Sequence, residues 1–282
     1  MQSLSNFLAF AIDRFRLQGV IQPERQAQEL VCDALEIKLS QLSLQGERVL
    51  TSEEIERCQS WLARRAQAEP LAYIHGKVEF YACEIYVSPA VLIPRQETEI
   101  LVDKIVKSLE QKNVDGHILW DVCCGSGCIG IALKKRLPQL QIVLSDLSPH
   151  ALEVAAFNAT RNGVEVEFLQ GDLLKPFKGR KAHYIVCNPP YIAEREYAHL
   201  DPSVRLYEPR MALIGGEQGT EFYEALAQDL PTYLYPAAKV WLEVGYQQGS
   251  DMMKLFQGGF WKSCRLEQDW AGHDRFFFLE NE

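Results

Sequence analysis

The sequence predicts an α/β fold: a mostly parallel sheet with helices on both faces, preceded by a small helical bundle and a β-hairpin. Three observations predict it. From about His117, short apolar runs alternate with helical stretches, the rhythm of successive strand–helix–strand units. Before Glu69-Pro70, apolar residues recur at helical spacing. Between these parts, Lys77 to Leu92 is rich in β-branched and aromatic residues, as strands are.

The N-terminal part, residues 1–76, carries apolar residues at Leu4, Phe7, Leu8 and Ala11, at Leu30, Val31, Ala34 and Leu35, and at Ile55, Cys58 and Leu62. That spacing places them on single helix faces. Thr51 with Glu54 predicts a helix start in which cap and third residue bond reciprocally. The first 20 residues are apolar, but Asp13, Arg14 and Arg16 interrupt them and no small-residue cleavage site follows. An amphipathic helix is expected there, not a signal peptide. This part holds no evident chemistry and reads as a helical bundle or substrate-docking module. Residues 77–92 are expected to form a hairpin linker, and residues 93–282 the sheet domain. Expected strands are Ile118–Cys123, Ile142–Leu144, Val164–Leu169, Tyr184–Cys187, Val240–Val244 and Phe276–Leu279. Expected helices lie near Cys128–Arg136, Ala151–Arg161 and Glu221–Leu230.

The net charge of −9 argues against a general nucleic-acid binder, which usually carries a surplus of basic charge for phosphate contacts. No apolar run reaches membrane-spanning length. The eight cysteines are scattered without a Cys-x-x-Cys pair, so free, reduced thiols are expected instead of a disulfide scaffold or zinc site.

The first strand of the alternating part runs into Asp121-Val122-Cys123-Cys124-Gly125-Ser126-Gly127-Cys128-Ile129-Gly130. A glycine-rich turn between first strand and helix lets the backbone approach a ligand at the carboxyl edge of a sheet. The second strand ends in Asp146, placed to bond ribose hydroxyls, and the third in Asp172-Leu173, where a carboxylate can accept from an adenine amino group. Together these strand ends point to an adenosine-containing ligand. Gly125, Gly127 and Gly130 also satisfy the dinucleotide spacing, so the loop alone leaves a dehydrogenase open.

The fourth strand decides between them, because it runs into Asn188-Pro189-Pro190-Tyr191. Neither proline has an N–H, and the turn is stiff and extended. The Asn188 side-chain oxygen and the Pro189 carbonyl can each accept one hydrogen of an NH2 group. Tyr191 offers a flat surface for a planar substituent. Such a grip presents a nitrogen lone pair to an electrophilic methyl and requires neither metal nor strong base. Catalysis of this kind is mainly positioning, which lowers barriers by roughly 7–11 kcal/mol.

Asn-Pro-Pro-Tyr in this setting resembles class I amino methyltransferases. Further segments narrow the resemblance: Glu69-Pro70-Leu71-Ala72-Tyr73-Ile74, Glu79-Phe80, Val87-Ser88-Pro89, Leu92 to Glu99, Val204 to Pro209, and Glu243-Val244-Gly245-Tyr246-Gln247-Gln248-Gly249. In this order they resemble the release factor glutamine methyltransferase family, essentially from Glu69 onward. The resemblance implies a class I Rossmann-like methyltransferase domain with a mostly parallel seven-stranded sheet, S-adenosyl-L-methionine as cofactor, and methylation of the glutamine in the Gly-Gly-Gln motif of peptide chain release factors. A cytoplasmic protein that binds neither nucleic acid directly nor membrane is expected, with a monomer as the expected state. Cys123, Cys124, Gly125, Ser126, Gly127, Asp146, Asp172, Leu173 and Asn188 match cofactor-contacting positions, with Arg95 and Thr98 near the methionine end. Asn188, Pro189, Pro190 and Tyr191 match the glutamine grip, and Phe80 helps close it. Adenine-N6 nucleic-acid methyltransferases share the grip, and a non-catalytic binding protein on the same fold is a further reading. The chain departs from the family at Cys123, where a glycine is usual. Cysteine lacks glycine's backbone freedom, so a backbone contact is expected to survive there if the local φ is negative.

Overall fold

The computed structural model describes residues 2–282. They group into two units: one runs to Gly76 and includes Pro202–Tyr207, and the other comprises Lys77–Asp201 and Glu208–Glu282. The hairpin groups with the second unit. Among the described residues, no helix is long and apolar enough to cross a membrane.

In the first unit, helices α1 (Leu4–Leu17), α2 (Pro23–Leu35), α3 (Leu39–Leu42), α4 (Ser52–Arg65) and α5 (Leu71–His75) follow one another. The face of α1 formed by Leu4, Phe7, Ala11 and Phe15 is buried. It packs in one core with Leu30 and Val31 of α2 and with Cys58 and Leu62 of α4. Each fully buried Leu or Phe contributes roughly 2 kcal/mol. The expected cap of α4 forms: Glu54 N donates to Thr51 Oγ1 at 3.2 Å, and Thr51 N donates to Glu54 Oε2 at 2.9 Å.

The second unit opens with β1 (Lys77–Phe80) and β2 (Cys83–Tyr86), paired antiparallel with Phe80 opposite Cys83. Tyr81 and Ala82 between them both have positive φ, 45° and 59°, as a two-residue turn matched to strand twist requires. Helix α6 (Gln96–Leu109) precedes a run of alternating elements: β3 (Ile118–Val122), α7 (Cys128–Arg136), β4 (Gln141–Asp146), α8 (Pro149–Arg161), β5 (Glu167–Gln170) and β6 (Ala182–Cys187). The chain continues through β7 (Ile192–Ala193), α9 (Pro202–Tyr207, grouped with the first unit), β8 (Ile214–Gly216) and α10 (Glu221–Tyr233). It ends in β9 (Leu234–Glu243), α11 (Gly249–Leu255), β10 (Trp261–Gln268) and β11 (Asp274–Asn281).

Seven strands form one sheet in the order β10-β11-β9-β6-β3-β4-β5. The pairs from β9 to β5 are parallel, and β11 and β10 run antiparallel at one edge. Central strands such as Leu119-Trp120-Asp121-Val122 are buried throughout, as expected where helices cover both faces. Trp120 stacks on Phe177 with ring centroids 3.9 Å apart.

From β3 the chain winds outward through β4 and β5, then returns to place β6 on the other side of β3. The carboxyl ends of β3 and β6 therefore flank the point where strand order reverses, where such sheets open a ligand crevice. Asn158 of α8, fully buried, ties the hairpin to this edge. Its Oδ1 accepts from Tyr86 N at 2.7 Å, and its Nδ2 donates to Tyr86 O and to Ser126 O, both at 3.0 Å.

Candidate active site

The turn after β3 is held by backbone bonds that do not depend on side-chain type. Cys124 N donates to Ser145 O at 2.9 Å, and Gly127 N to Cys124 O at 2.8 Å. Gly127 (φ +76°) lies in the left-handed region, and a Cβ there would press on Ala155, Ile131 and Leu144 at 3.1 Å. Both backbone and space therefore demand glycine, and its role is to seat α7 on the sheet. At Gly125 (φ +52°) a Cβ would meet open space, so only the backbone angle demands glycine there. Asp121, buried at the end of β3, accepts from Gly130 N at 2.8 Å. It thereby caps α7 from a neighbouring strand and places a carboxyl at the helix's positive end.

Asp146 organises the same turn. Its Oδ2 accepts from Gly125 N and its Oδ1 from Ser148 N, both at 2.9 Å. Burial raises its carboxyl above the usual range, against the pull of these N–H groups. Asp172 is partly exposed and pairs with Lys175 at 2.6 Å. Leu173 beside it has φ +46°.

A cavity opens at this edge, lined by Cys123, Cys124, Gly125, Ser126, Asp146, Asp172, Leu173 and Asn188, with Arg95, Thr98 and Pro190. Val91, Leu92, Ile129 and Leu147 add apolar walls. The structure thus brings together most of the residues singled out from the sequence. Four of them lie elsewhere. Gly127 packs beneath the turn, as above. Pro189 holds the backbone between Asn188 and Pro190 without lining this cavity. Tyr191 lines a second, adjoining cavity with Arg275, Gly245 and Gln248. Its hydroxyl sits 3.5 Å from Arg275 Nη1, and burial pushes its phenol up to about 12. Phe80, expected to help close the site, is 1% exposed, lies opposite Cys83 in the hairpin and lines neither cavity.

At Cys123 the condition for a surviving backbone contact, a negative φ, is not met: its φ is +59°. The turn keeps a left-handed residue even with a side chain present. Strain at such a residue costs about 1–2 kcal/mol. Glycine would relieve it but would add unfolded-state freedom worth about 1 kcal/mol. We expect Cys123→Gly to leave urea-unfolding stability within about 1 kcal/mol of the parent. A loss beyond about 2 kcal/mol would mean that the thiol's packing, not its φ, governs the position.

Asn188, at the end of β6, donates Nδ2 to Thr98 Oγ1 at 3.4 Å. Thr98, in the first turn of α6, donates its hydroxyl to Glu243 Oε2 at 2.7 Å. Glu243 ends β9 and is 2% exposed. Burial, opposed by the Thr98 bond and by Arg275, raises its carboxyl to about 7. Sequence reasoning assigned Glu243 no role, although a charged residue directly after the apolar run Val240-Trp241-Leu242 was a readable signal. Glu208 was missed likewise. It is 4% exposed, pairs with Arg95 and accepts from Ile93 N at 3.1 Å, which anchors the segment that brings Arg95 and Thr98 to the cavity.

A glycine turn, two acidic strand ends and an Asn-Pro-Pro-Tyr segment at the switch point of this sheet define a class I methyltransferase domain. A family model described as the methyltransferase small domain matches residues 96–201, and one described as the PrmC N-terminal domain matches residues 6–76. The chain is 44% identical over 265 residues to the release factor glutamine methyltransferase of Chlamydia trachomatis, covering 94% of this chain and 90% of that protein. It is 37% identical over 257 residues to the protein of the same name from Thermodesulfovibrio yellowstonii, covering 91% and 92%. The chain belongs to the release factor glutamine methyltransferase family. Its fold is also similar to that of a methyltransferase from Pyrococcus furiosus, with a TM-score of 0.53 and 17% identity over 70% of this chain and 87% of that one.

Proposed function

We propose that the protein transfers a methyl group from S-adenosyl-L-methionine to the side-chain amide nitrogen of the glutamine in the Gly-Gly-Gln motif of peptide chain release factors, releasing S-adenosyl-L-homocysteine. The observation that carries this reading is the orientation of the Asn188 carboxamide. Its Nδ2 is turned to Thr98, so its Oδ1 is the end that can accept from an incoming NH2.

The cavity suits the cofactor. Position 125 leaves open space where a side chain would stand, two carboxylates can accept from hydroxyl and amino groups, and the remaining walls are largely apolar. Asp146 would hold the ribose, and Asp172 with Leu173 the adenine. When bound, the cofactor supplies an electrophilic methyl on a sulfonium.

The chain's own residues supply the rest. Asn188 Oδ1 and the Pro189 carbonyl accept the two amide hydrogens and hold the nitrogen in one orientation. An amide nitrogen is a weak nucleophile because its lone pair is delocalised, so the gain comes from fixing it at the methyl. Two acceptors also favour the nitrogen as it loses planarity and its hydrogens become more acidic. Tyr191 lines the second cavity, which is read as the path by which the substrate loop arrives. The helical first unit is read as the part that docks the release factor. The protein is read as a cytoplasmic monomer acting on protein, in keeping with its net charge of −9.

Mass spectrometry of a release factor incubated with the enzyme and S-adenosyl-L-methionine tests the proposal. One added methyl on the Gly-Gly-Gln glutamine is expected. With radiolabelled cofactor and equal amounts of release factor and DNA, label on DNA alone would replace this reading with adenine-N6 methylation.

A further inference from the structure

We propose that Thr98 and Glu243 are positioning residues for the methyl-accepting site: together they fix which end of the Asn188 carboxamide faces the substrate. The inference rests on the glutamine-methylation reading above. A carboxamide is nearly symmetric in shape, but one end accepts and the other donates. Turned by 180°, Asn188 would present its NH2 to the substrate's NH2, and two donors would face each other. Sterics alone discriminate weakly between the two orientations, so something in the site must choose.

The chain of bonds Asn188–Thr98–Glu243 makes that choice. An ionised carboxylate only accepts, and Glu243 takes the Thr98 hydroxyl hydrogen at 2.7 Å. A hydroxyl has one hydrogen, so Thr98 Oγ1 can only accept on its other side. The group it faces there is Asn188 Nδ2, at 3.4 Å. Each donor and acceptor along the path is thereby committed, and Asn188 Oδ1 is left to point away from Thr98. The polarity begins at a carboxylate buried at the end of β9, passes through α6 and ends at β6.

Burial alone would tend to neutralise Glu243. Arg275 and the bond from Thr98 favour its charge, while Glu97 opposes it. Tyr191, Tyr223 and Cys128 are the other titratable groups that feel it. Protonated Glu243 becomes a donor toward Thr98, the path can run in reverse, and the carboxamide loses its preferred orientation. Glu243 touches neither cavity, so it acts only through Thr98 and Asn188.

The test is steady-state methylation of a release factor by the whole protein. Thr98→Val keeps the shape and removes the hydroxyl. It is expected to lower kcat by about 100-fold, with calorimetric affinity for S-adenosyl-L-homocysteine little changed, and Thr98→Ser should recover most of the loss. The parent's kcat should show an acid limb near neutrality, which Glu243→Gln should remove together with about tenfold in kcat. The Glu243→Gln profile and the Thr98→Ser rescue decide the matter even if Thr98→Val folds poorly. Folded Thr98→Val and Glu243→Gln proteins that retain the parent's kcat and acid limb would overturn the inference. So would equal losses in Thr98→Val and Thr98→Ser with weakened cofactor binding, which would place Thr98 on the cofactor alone. If the parent puts no methyl on the release factor, the glutamine reading fails and takes this inference with it. Parent activity with unaffected variants removes the positioning role and leaves that reading standing.

Discussion

Replacing Asn188 with Ala is expected to lower kcat for release factor methylation by about 100- to 1000-fold, while S-adenosyl-L-homocysteine still binds within a few-fold of the parent. The carboxamide supplies one of the two acceptors proposed for the substrate nitrogen, and alanine supplies none. The loss should fall on kcat, because the bond is worth most when the nitrogen is aligned and losing its planarity. Cofactor affinity should change little. Asn188 is one of many residues lining that cavity, and the turn after β3 closes through its own backbone bonds. Isothermal titration with S-adenosyl-L-homocysteine beside steady-state kinetics separates the two quantities. Parallel losses in both would assign Asn188 to the cofactor and remove the grip from the mechanism.

The contrast between Asn188 and its supports explains how far this site was legible in the sequence. Asn188 to Tyr191 are contiguous, and two adjacent prolines after a strand form a local signal whose chemistry can be read directly. Thr98 and Glu243 are brought together only by folding: the first sits in α6, the second at the end of β9, 145 residues later. No spacing rule links them. Tyr191 lies in the right segment but lines a different cavity from Asn188, because alternate residues of an extended chain face opposite ways. Phe80 was placed by resemblance alone, and its full burial in the hairpin reflects an apolar residue opposite Cys83.

The same distinction holds for the fold. Buried central strands such as β3 and β6 are largely apolar and stood out. The edge strand β10 (Trp261–Gln268) was not anticipated; it is partly exposed along its length, and edge strands carry charged residues that blur the pattern. Helix α6 was also overlooked, although Leu101, Val102, Ile105, Val106 and Leu109 bury one face of it. Its opening residues attracted attention as a motif and concealed an ordinary helical period. Residues 202–207 grouping with the first unit had no local signature at all.

Raising the pH from about 5 to about 8 is expected to destabilise the protein, and Asp121→Asn should remove much of that slope. Burial raises Asp121 to about 7 and Glu243 to about 7, above the ordinary 3.8 and 4.5. Each folded carboxyl therefore keeps its proton at pH values where the unfolded chain has lost it. The stability this provides is fully present below the unfolded values and is lost as pH rises through about 7. Shifts of this size correspond to a few kcal/mol per group. The carboxylates pulled down by partners, Glu84 and Glu167, act in the opposite sense, but below about pH 5. Asp121 is the cleaner of the two groups to change. Asparagine can still accept from Gly130 N, whose bond to Oδ2 is 2.8 Å, and so keeps the cap on α7. Oδ1 has no partner among the described residues, so the ionised form has little to offset its desolvation. Asp121→Asn should match the parent only below about pH 4, where Asp121 is neutral in both states, and should exceed it by a margin that widens from about pH 5 to about pH 7. Urea unfolding of cofactor-free protein across this range measures the difference. Equal slopes for the two proteins would show that Asp121 ionises freely inside the fold, and the account of it as a buried cap that keeps its proton up to about pH 7 would fail.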